Sequence, residues 1–207
     1  MQLTHRPTKI LVTGKSGTGK STYFTRYVLN SAHDWKFIFD HEGEFQQRLD
    51  CGAVYELAGL EEPLQEERWV IYDPSKEFPG ETEAAFDKFL GWVFARCATL
   101  PGTKLFACDE LQKMVGTMSV THNLTCLLET GRRRGLDCVM ISQQPNAIHN
   151  RVREQLTEVV TFQQLTDNAI DFLAQIGFDA EQVRALHPGE FWARSLSTSA
   201  EARGRVF

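Results

Sequence analysis

Residues 14–21 read Gly-Lys-Ser-Gly-Thr-Gly-Lys-Ser, a GxxxxGK[ST] spacing. Glycines let successive backbone N–H groups turn inward and wrap an anion. The partial positive charge at the start of a following helix adds to the same field. The pattern predicts a nucleotide-phosphate site. Gly14, Lys15, Ser16, Gly17, Thr18 and Gly19 form its cradle, Lys20 reaches the β- and γ-phosphates, and Ser21 holds Mg²⁺. A plain Gly-rich turn would not require Lys-Ser at the helix start.

Such a site needs a carboxylate at a strand end, and Lys-Leu-Phe-Ala-Cys-Asp-Glu at 104–110 supplies one. Asp109 is expected to bind Mg²⁺ through water, and Glu110 to act as general base on the attacking water. A solvated acidic pair is the bland alternative. Nucleotide kinases and GTPases usually lack the second acid, so the pair points to an ATPase with water as acceptor. A third strand ends in Ser-Gln-Gln-Pro at 142–145. Gln143 is the first choice to touch the γ-phosphate or the lytic water, with Gln144 second; a polar strand cap before Pro145 is the alternative. Arg132, Arg133 and Arg134 stand between Gly131 and Gly135. One could complete a neighbouring subunit's site, others could hold DNA phosphates, or all could merely favour a helix C-terminus. Arg151 and Arg153 pose the same choice.

The elements that must position these groups alternate. Apolar strands are predicted at 9–13, 36–40, 69–73, 104–109, 137–142, 158–162 and 190–194. Helices are predicted at 20–30, 81–100, 120–132, 167–176 and 180–186. Strands apolar throughout and separated by helices imply an α/β fold with a mostly parallel sheet covered on both faces. No linker or repeat breaks the chain, so residues 1–207 read as a single domain, with 195–207 as a polar, basic tail forming an exposed strand or flexible arm. Trp69, Trp92 and the many Phe read as core, with Trp35 partly exposed.

The 207 residues carry 22 Lys+Arg and 27 Asp+Glu, a net charge of −5. Residues 40–87 hold 14 of those acids against three bases, or −11, which leaves +6 for the rest. The acidity therefore belongs to one segment and does not exclude a nucleic-acid partner. No run of 18 apolar residues is present, and the opening Met1-Gln2-Leu3-Thr4-His5-Arg6 lacks the apolar stretch of a secretion leader. Five cysteines without a CxxC pair read as buried free thiols in a reducing compartment. The six histidines, His41 beside Asp40 among them, show no metal-ligand spacing.

As an ordered set these motifs resemble the FtsK/HerA superfamily of P-loop ATPases. The chain looks most like the genome-packaging ATPases of tailless, membrane-containing icosahedral viruses. GKSGTGKS at 14–21 is the Walker A loop and FACDE at 106–110 the Walker B strand. FDHEGEF at 39–45 is similar to a second-strand D-x-x-GE-aromatic pattern, fitted by Asp40, Gly43, Glu44 and Phe45. GRRRGLDCVMISQQP at 131–145 resembles a stretch leading from an Arg-bearing helix end to a strand closing in Ser/Thr-Gln. The resemblance implies a RecA-like fold binding ATP and Mg²⁺. It further implies a homo-oligomeric ring, hexamer or pentamer, that translocates double-stranded viral DNA into a preformed capsid.

Capsid or portal-vertex proteins, and viral membrane proteins, are the implied partners. The implied location is the host cytoplasm during assembly, or a virion vertex. The trans-acting arginine is not fixed by the motif, though Arg132 occupies its place best. No long basic DNA loop is evident; Lys113, the arginine cluster and the C-terminal arginines are the candidates. On this reading the acidic segment faces the ring's exterior or a capsid contact.

Two other readings stand beside this one. The filamentous-phage assembly proteins related to zonula occludens toxin normally carry a transmembrane helix after the ATPase domain, and this sequence shows none. A nucleotide-dependent binding or scaffolding protein would keep the phosphate loop without needing Glu110.

Overall fold

The apolar pentapeptide Lys9–Thr13 forms β1 and is buried along its whole length. In the computed structural model, which describes residues 8–116 and 118–207, it runs directly into the glycine-rich loop and then into α1 (Lys20–Asn30). The first seven residues, including His5, lie outside the described residues. Next come β2 (Trp35–Phe39), α2 (Glu44–Arg48), β3 (Ala53–Val54), α3 (Glu61–Glu67) and β4 (Trp69–Tyr72). The acidic stretch therefore contains two helices and an edge strand that apolar periodicity does not reveal. The long α4 (Thr82–Thr99) precedes β5 (Lys104–Cys108), the short α5 (Leu111–Met114) and α6 (His122–Thr130). β6 (Leu136–Ser142), α7 (Asn150–Arg153), β7 (Glu158–Thr161), α8 (Asp167–Gln175), α9 (Ala180–Arg184), β8 (Glu190–Ser195) and β9 (Glu201–Arg205) complete the order.

These strands form one nine-stranded sheet in the order β3-β4-β2-β5-β6-β1-β7-β8-β9. Pairing is parallel from β3 through β7, and antiparallel for β7–β8 and β8–β9. Side chains of successive strand residues point to opposite faces, so each buried strand feeds two cores. Leu11, Phe37, Phe39, Phe106, Met140 and Val159 pack on one side with residues of α3, α4, α6 and α8. Ile10, Val12, Ile38, Ala107, Ile141 and Val160 pack on the other with Phe24 and Val28 of α1 and Phe45. This is the predicted α/β, mostly parallel sheet with helices on both faces: a P-loop NTPase fold.

Of the two readings of the tail the exposed strand holds: β9 is hydrogen-bonded along β8, and Val206 beyond it is buried. One expectation changes: Trp35 is buried, its ring Nε1–H donating to the Pro101 carbonyl at 2.9 Å. The five cysteines are free thiols, with Cys97, Cys108 and Cys138 buried. No helix among the described residues is long and apolar enough to cross a membrane.

Candidate active site

Register brings the predicted residues to one level. Thr13 pairs with Ser142, so Gly14 and Gln143 leave neighbouring strands side by side. Cys108 pairs with Met140, which sets Asp109 and Glu110 beside the last residues of β6. The three C-terminal strand ends meet at a polar cleft of about 350 Å³. Ser16, Gly17, Gly19, Lys20, Ser21, Asp109, Glu110 and Gln143 line it. Gln144, the second choice, is exposed and does not line it. A wider cleft of about 560 Å³ along Tyr23, Tyr27 and His33 contains no residue of the 14–21 loop.

The loop is held by one bond to the segment after β7 and by two of its own. The Lys15 N–H donates to the Gln163 carbonyl at 2.9 Å. The Thr18 hydroxyl and the Lys20 Nζ both donate to the Lys15 carbonyl, at 2.8 and 2.9 Å. Gly19 has φ +112, and a Cβ there would come within 2.8 Å of Val206 Cγ2. Both the dihedral and the space therefore demand glycine at this position. Lys20 is buried, and desolvation pulls its pKa down against the opposing pull of Asp109 and Glu110.

Glu110 caps the short α5 with φ +48, a left-handed conformation that is costly for a residue with a Cβ. That turn carries its carboxylate into the cleft while keeping it buried. Two side-chain amides hold it: Gln143 Nε2 donates to Oε1, and Gln112 Nε2 donates to Oε2. Asp109 accepts the Glu110 N–H at 2.6 Å. Burial pushes its carboxyl up to about 7; the Glu110 charge adds to the rise, and the Glu110 N–H and Lys20 oppose it. One further amide ties the strand ends together. Buried Gln164 donates to Thr13 Oγ1 at 2.9 Å and to the Gln143 carbonyl at 3.2 Å.

The 39–45 segment has a physical role that spacing alone did not disclose. Asp40 accepts the N–H groups of Glu44, Phe45 and Gln46 at 3.1, 2.8 and 3.0 Å, satisfying the start of α2. Burial still raises its pKa. Gly43 makes the turn at φ +70, and Phe45 packs on Phe24 with ring centroids 4.3 Å apart. Glu42, Glu44 and Arg48 are thereby carried to the cleft wall. Sequence reasoning named none of these as wall residues except through the D-x-x-GE pattern, which includes Glu44.

The predicted arginines, Arg132, Arg133 and Arg134, do not line this cleft. Gly131–Arg134 precedes β6, at the opposite end of that strand from Gln143. Six residue steps along a strand span about 20 Å. Arg134 is engaged within the chain: it donates to the Phe94 carbonyl and lies over the Phe94 ring at 3.7 Å. Arg132 and Arg133 are exposed. Arg151 pairs with Glu129 at 2.9 Å, Arg153 donates to Asn150, and Lys113 pairs with Glu42 at the cleft.

The groups present suit Mg²⁺. Hard oxygens, those of Ser21 and Asp109, line the cleft beside the phosphate cradle. No group of three or more His, Cys, Asp or Glu among the described residues is arranged to hold a metal by itself. That is expected for an ion bound mainly through substrate phosphates.

No family model and no curated protein sequence matches the chain. Solved structures do. The DNA-packaging ATPase B204 of Sulfolobus turreted icosahedral virus aligns with a TM-score of 0.76 at 18% identity, over 97% of this chain and 98% of that one. The genome-packaging NTPase B204 of Sulfolobus turreted icosahedral virus 2, in complex with AMPPCP, aligns at 0.72 and 17%, over 97% and 98%. EccC of Thermomonospora curvata, with a signal-sequence peptide, aligns at 0.58 and 13%, over 96% of this chain and 36% of that one. The chain therefore has the P-loop NTPase fold of the viral genome-packaging and EccC ATPases, the fold that its resemblance to the FtsK/HerA superfamily implied.

Proposed function

We propose that the chain is a Mg²⁺-dependent ATPase, working as a homo-oligomeric ring that moves double-stranded viral DNA into a preformed capsid. The observation that carries the ATPase part is the meeting of Lys20, Ser21, Asp109, Glu110 and Gln143 in one polar cleft at the C-terminal ends of parallel strands. Ligands of open α/β sheets bind at such strand ends. The packaging part rests on the whole-chain likeness to viral packaging ATPases.

In this reading the inward N–H groups of residues 14–19 bind the phosphates, and Lys20 exchanges the Lys15 carbonyl for β- and γ-phosphate oxygens. Ser21 and Asp109 hold Mg²⁺, which when bound neutralises charge on the phosphates. Glu110 takes the proton of the attacking water, oriented for that by the Gln143 and Gln112 amides. Gln143 touches both Glu110 and the γ-phosphate position, so loss of the phosphate is felt at β6. Arg132 or Arg133 of the adjacent copy supplies positive charge to the transition state.

Capsid or vertex proteins, and viral membrane proteins, are the docking partners in the host cytoplasm during assembly or at the virion vertex. The acidic segment builds the β3–β4 edge of the sheet, whereas Arg203 and Arg205 lie on β9 at the other. That segregation supports an exterior or capsid-facing role for the acidic edge, although Glu42 and Glu44 reach the cleft.

The testing experiment is ATP binding and hydrolysis by the native chain, Lys20→Ala and Glu110→Gln. Lys20→Ala is expected to lose binding, and Glu110→Gln to keep binding and lose turnover. Equal turnover in Glu110→Gln and the native chain overturns the catalytic assignment.

A further inference from the structure

The groups named so far account for phosphates, metal and water, and all are polar. A nucleotide also carries a flat apolar base. Among the residues lining the cleft, one large apolar side chain stands out: Phe207. It is 64% exposed, whereas the adjacent Val206 is 3% exposed.

Its position is built rather than incidental. The Gly189 N–H donates to the Thr18 carbonyl at 2.9 Å, fastening the turn before β8 to the phosphate loop. The Val206 N–H donates to the Gly189 carbonyl at 2.9 Å, fastening the end of β9 to that turn. Val206 then fills the space beside Gly19, and the Phe207 ring lies on Gly189, where a Cβ would come within 2.8 Å of the ring. The result is an exposed aromatic face at the rim of the loop.

Sheet order sets the direction. β5, which delivers Asp109 and Glu110, lies two strands to one side of β1; β9, which delivers Phe207, lies three strands to the other. The hydrolytic groups and the aromatic ring thus flank the phosphate loop from opposite sides. A nucleoside triphosphate has the same polarity, with a γ-phosphate at one end and a base at the other.

We infer that Phe207 is the stacking platform for the nucleotide base. It supplies affinity for the nucleoside half of the ligand and takes no part in hydrolysis. The inference rests on the nucleotide-site reading above. Because every base offers a π-face, stacking on Phe207 favours no particular base.

The test is equilibrium binding of Mg²⁺ complexes of AMPPCP, ADP, GDP and inorganic tripolyphosphate to the native chain, Phe207→Ala and Phe207→Trp. Phe207→Ala is expected to weaken AMPPCP, ADP and GDP about tenfold, which is about 1.4 kcal/mol, and to leave tripolyphosphate unchanged. Phe207→Trp is expected to bind all four as the native chain does. Unaltered nucleotide affinity in Phe207→Ala, or equal weakening of nucleotides and tripolyphosphate, overturns the platform. A native chain that binds tripolyphosphate but gains nothing from the nucleoside overturns it while sparing the phosphate site. A native chain that binds none of the four overturns both.

Discussion

Gln143, just past β6, donates its side-chain amide to Glu110 Oε1, just past β5. The pair joins the two strand ends across which an attacking water would be held. A carboxylate fixed in this way by two amides keeps its lone pairs aimed at the water position. Glu110→Gln is expected to lower turnover by about 10²–10⁴-fold with nucleotide affinity retained. Gln143→Ala is expected to lower it less, by about tenfold to a hundredfold, again with binding intact. Single-turnover hydrolysis beside equilibrium binding separates the two effects. A Gln143→Ala variant with native turnover would remove Gln143 from the mechanism.

Asp109 makes stability depend on pH. Its carboxyl rises from 3.8 to about 7 on folding, chiefly through burial. The folded chain therefore keeps a proton that the unfolded chain has lost. This contribution is full below about pH 4 and is lost as pH rises through 7. The amide of Asp109→Asn cannot ionise. In metal-free buffer the melting temperature of Asp109→Asn is expected to gain on that of the native chain from pH 5 to pH 8. Melting curves across that range give the check; a gap that stays constant with pH contradicts the burial described.

Asp40 is a structural acid. Three backbone N–H groups at the start of α2 lose their acceptor in Asp40→Ala, a cost of about 2 kcal/mol. Denaturant unfolding is expected to show that loss, and Asp40→Asn, which keeps one acceptor oxygen, a smaller one. Nucleotide affinity should fall as well, because α2 carries Glu44 and Arg48, and the turn before it Glu42, to the cleft.

The arginines divide by their contacts. Arg134→Ala is expected to lower the melting temperature, since the guanidinium holds the Phe94 carbonyl and ring. Arg132→Ala and Arg133→Ala should leave melting unchanged. The one that acts in trans should depress turnover of the assembled protein by about 10³-fold or more. Mixing that variant with Glu110→Gln should restore part of the activity, since each supplies what the other lacks. No recovery for either mixture contradicts a trans-acting role.

The legible parts of this fold were those written in contiguous residues. The phosphate loop, the Asp109–Glu110 pair and Gln143 each follow an apolar strand, and parallel strands in register bring such ends to one level. Side-chain contacts were not legible. Asp40 reads as a motif letter, and its three backbone N–H partners give it a structural role. The tail read as an exposed strand or a flexible arm because Glu201–Arg205 is polar; its hairpin with β8 decides for the strand, and the seat of Val206 beside Gly19 joins residues nearly the whole chain apart. The arginine run carries no information about which end of the sheet it occupies until the direction of β6 is known. The acidic segment hid α2 and α3 because few of their residues are buried, Phe45 in one and Leu64 in the other.

The central claim is that this cleft hydrolyses ATP in order to move DNA. Steady-state ATP turnover of the native chain, measured with and without double-stranded DNA and beside Glu110→Gln, tests it most directly. The expected result is turnover that rises severalfold with double-stranded DNA and is absent in Glu110→Gln under both conditions. Turnover indifferent to DNA, or equal in Glu110→Gln, would contradict it.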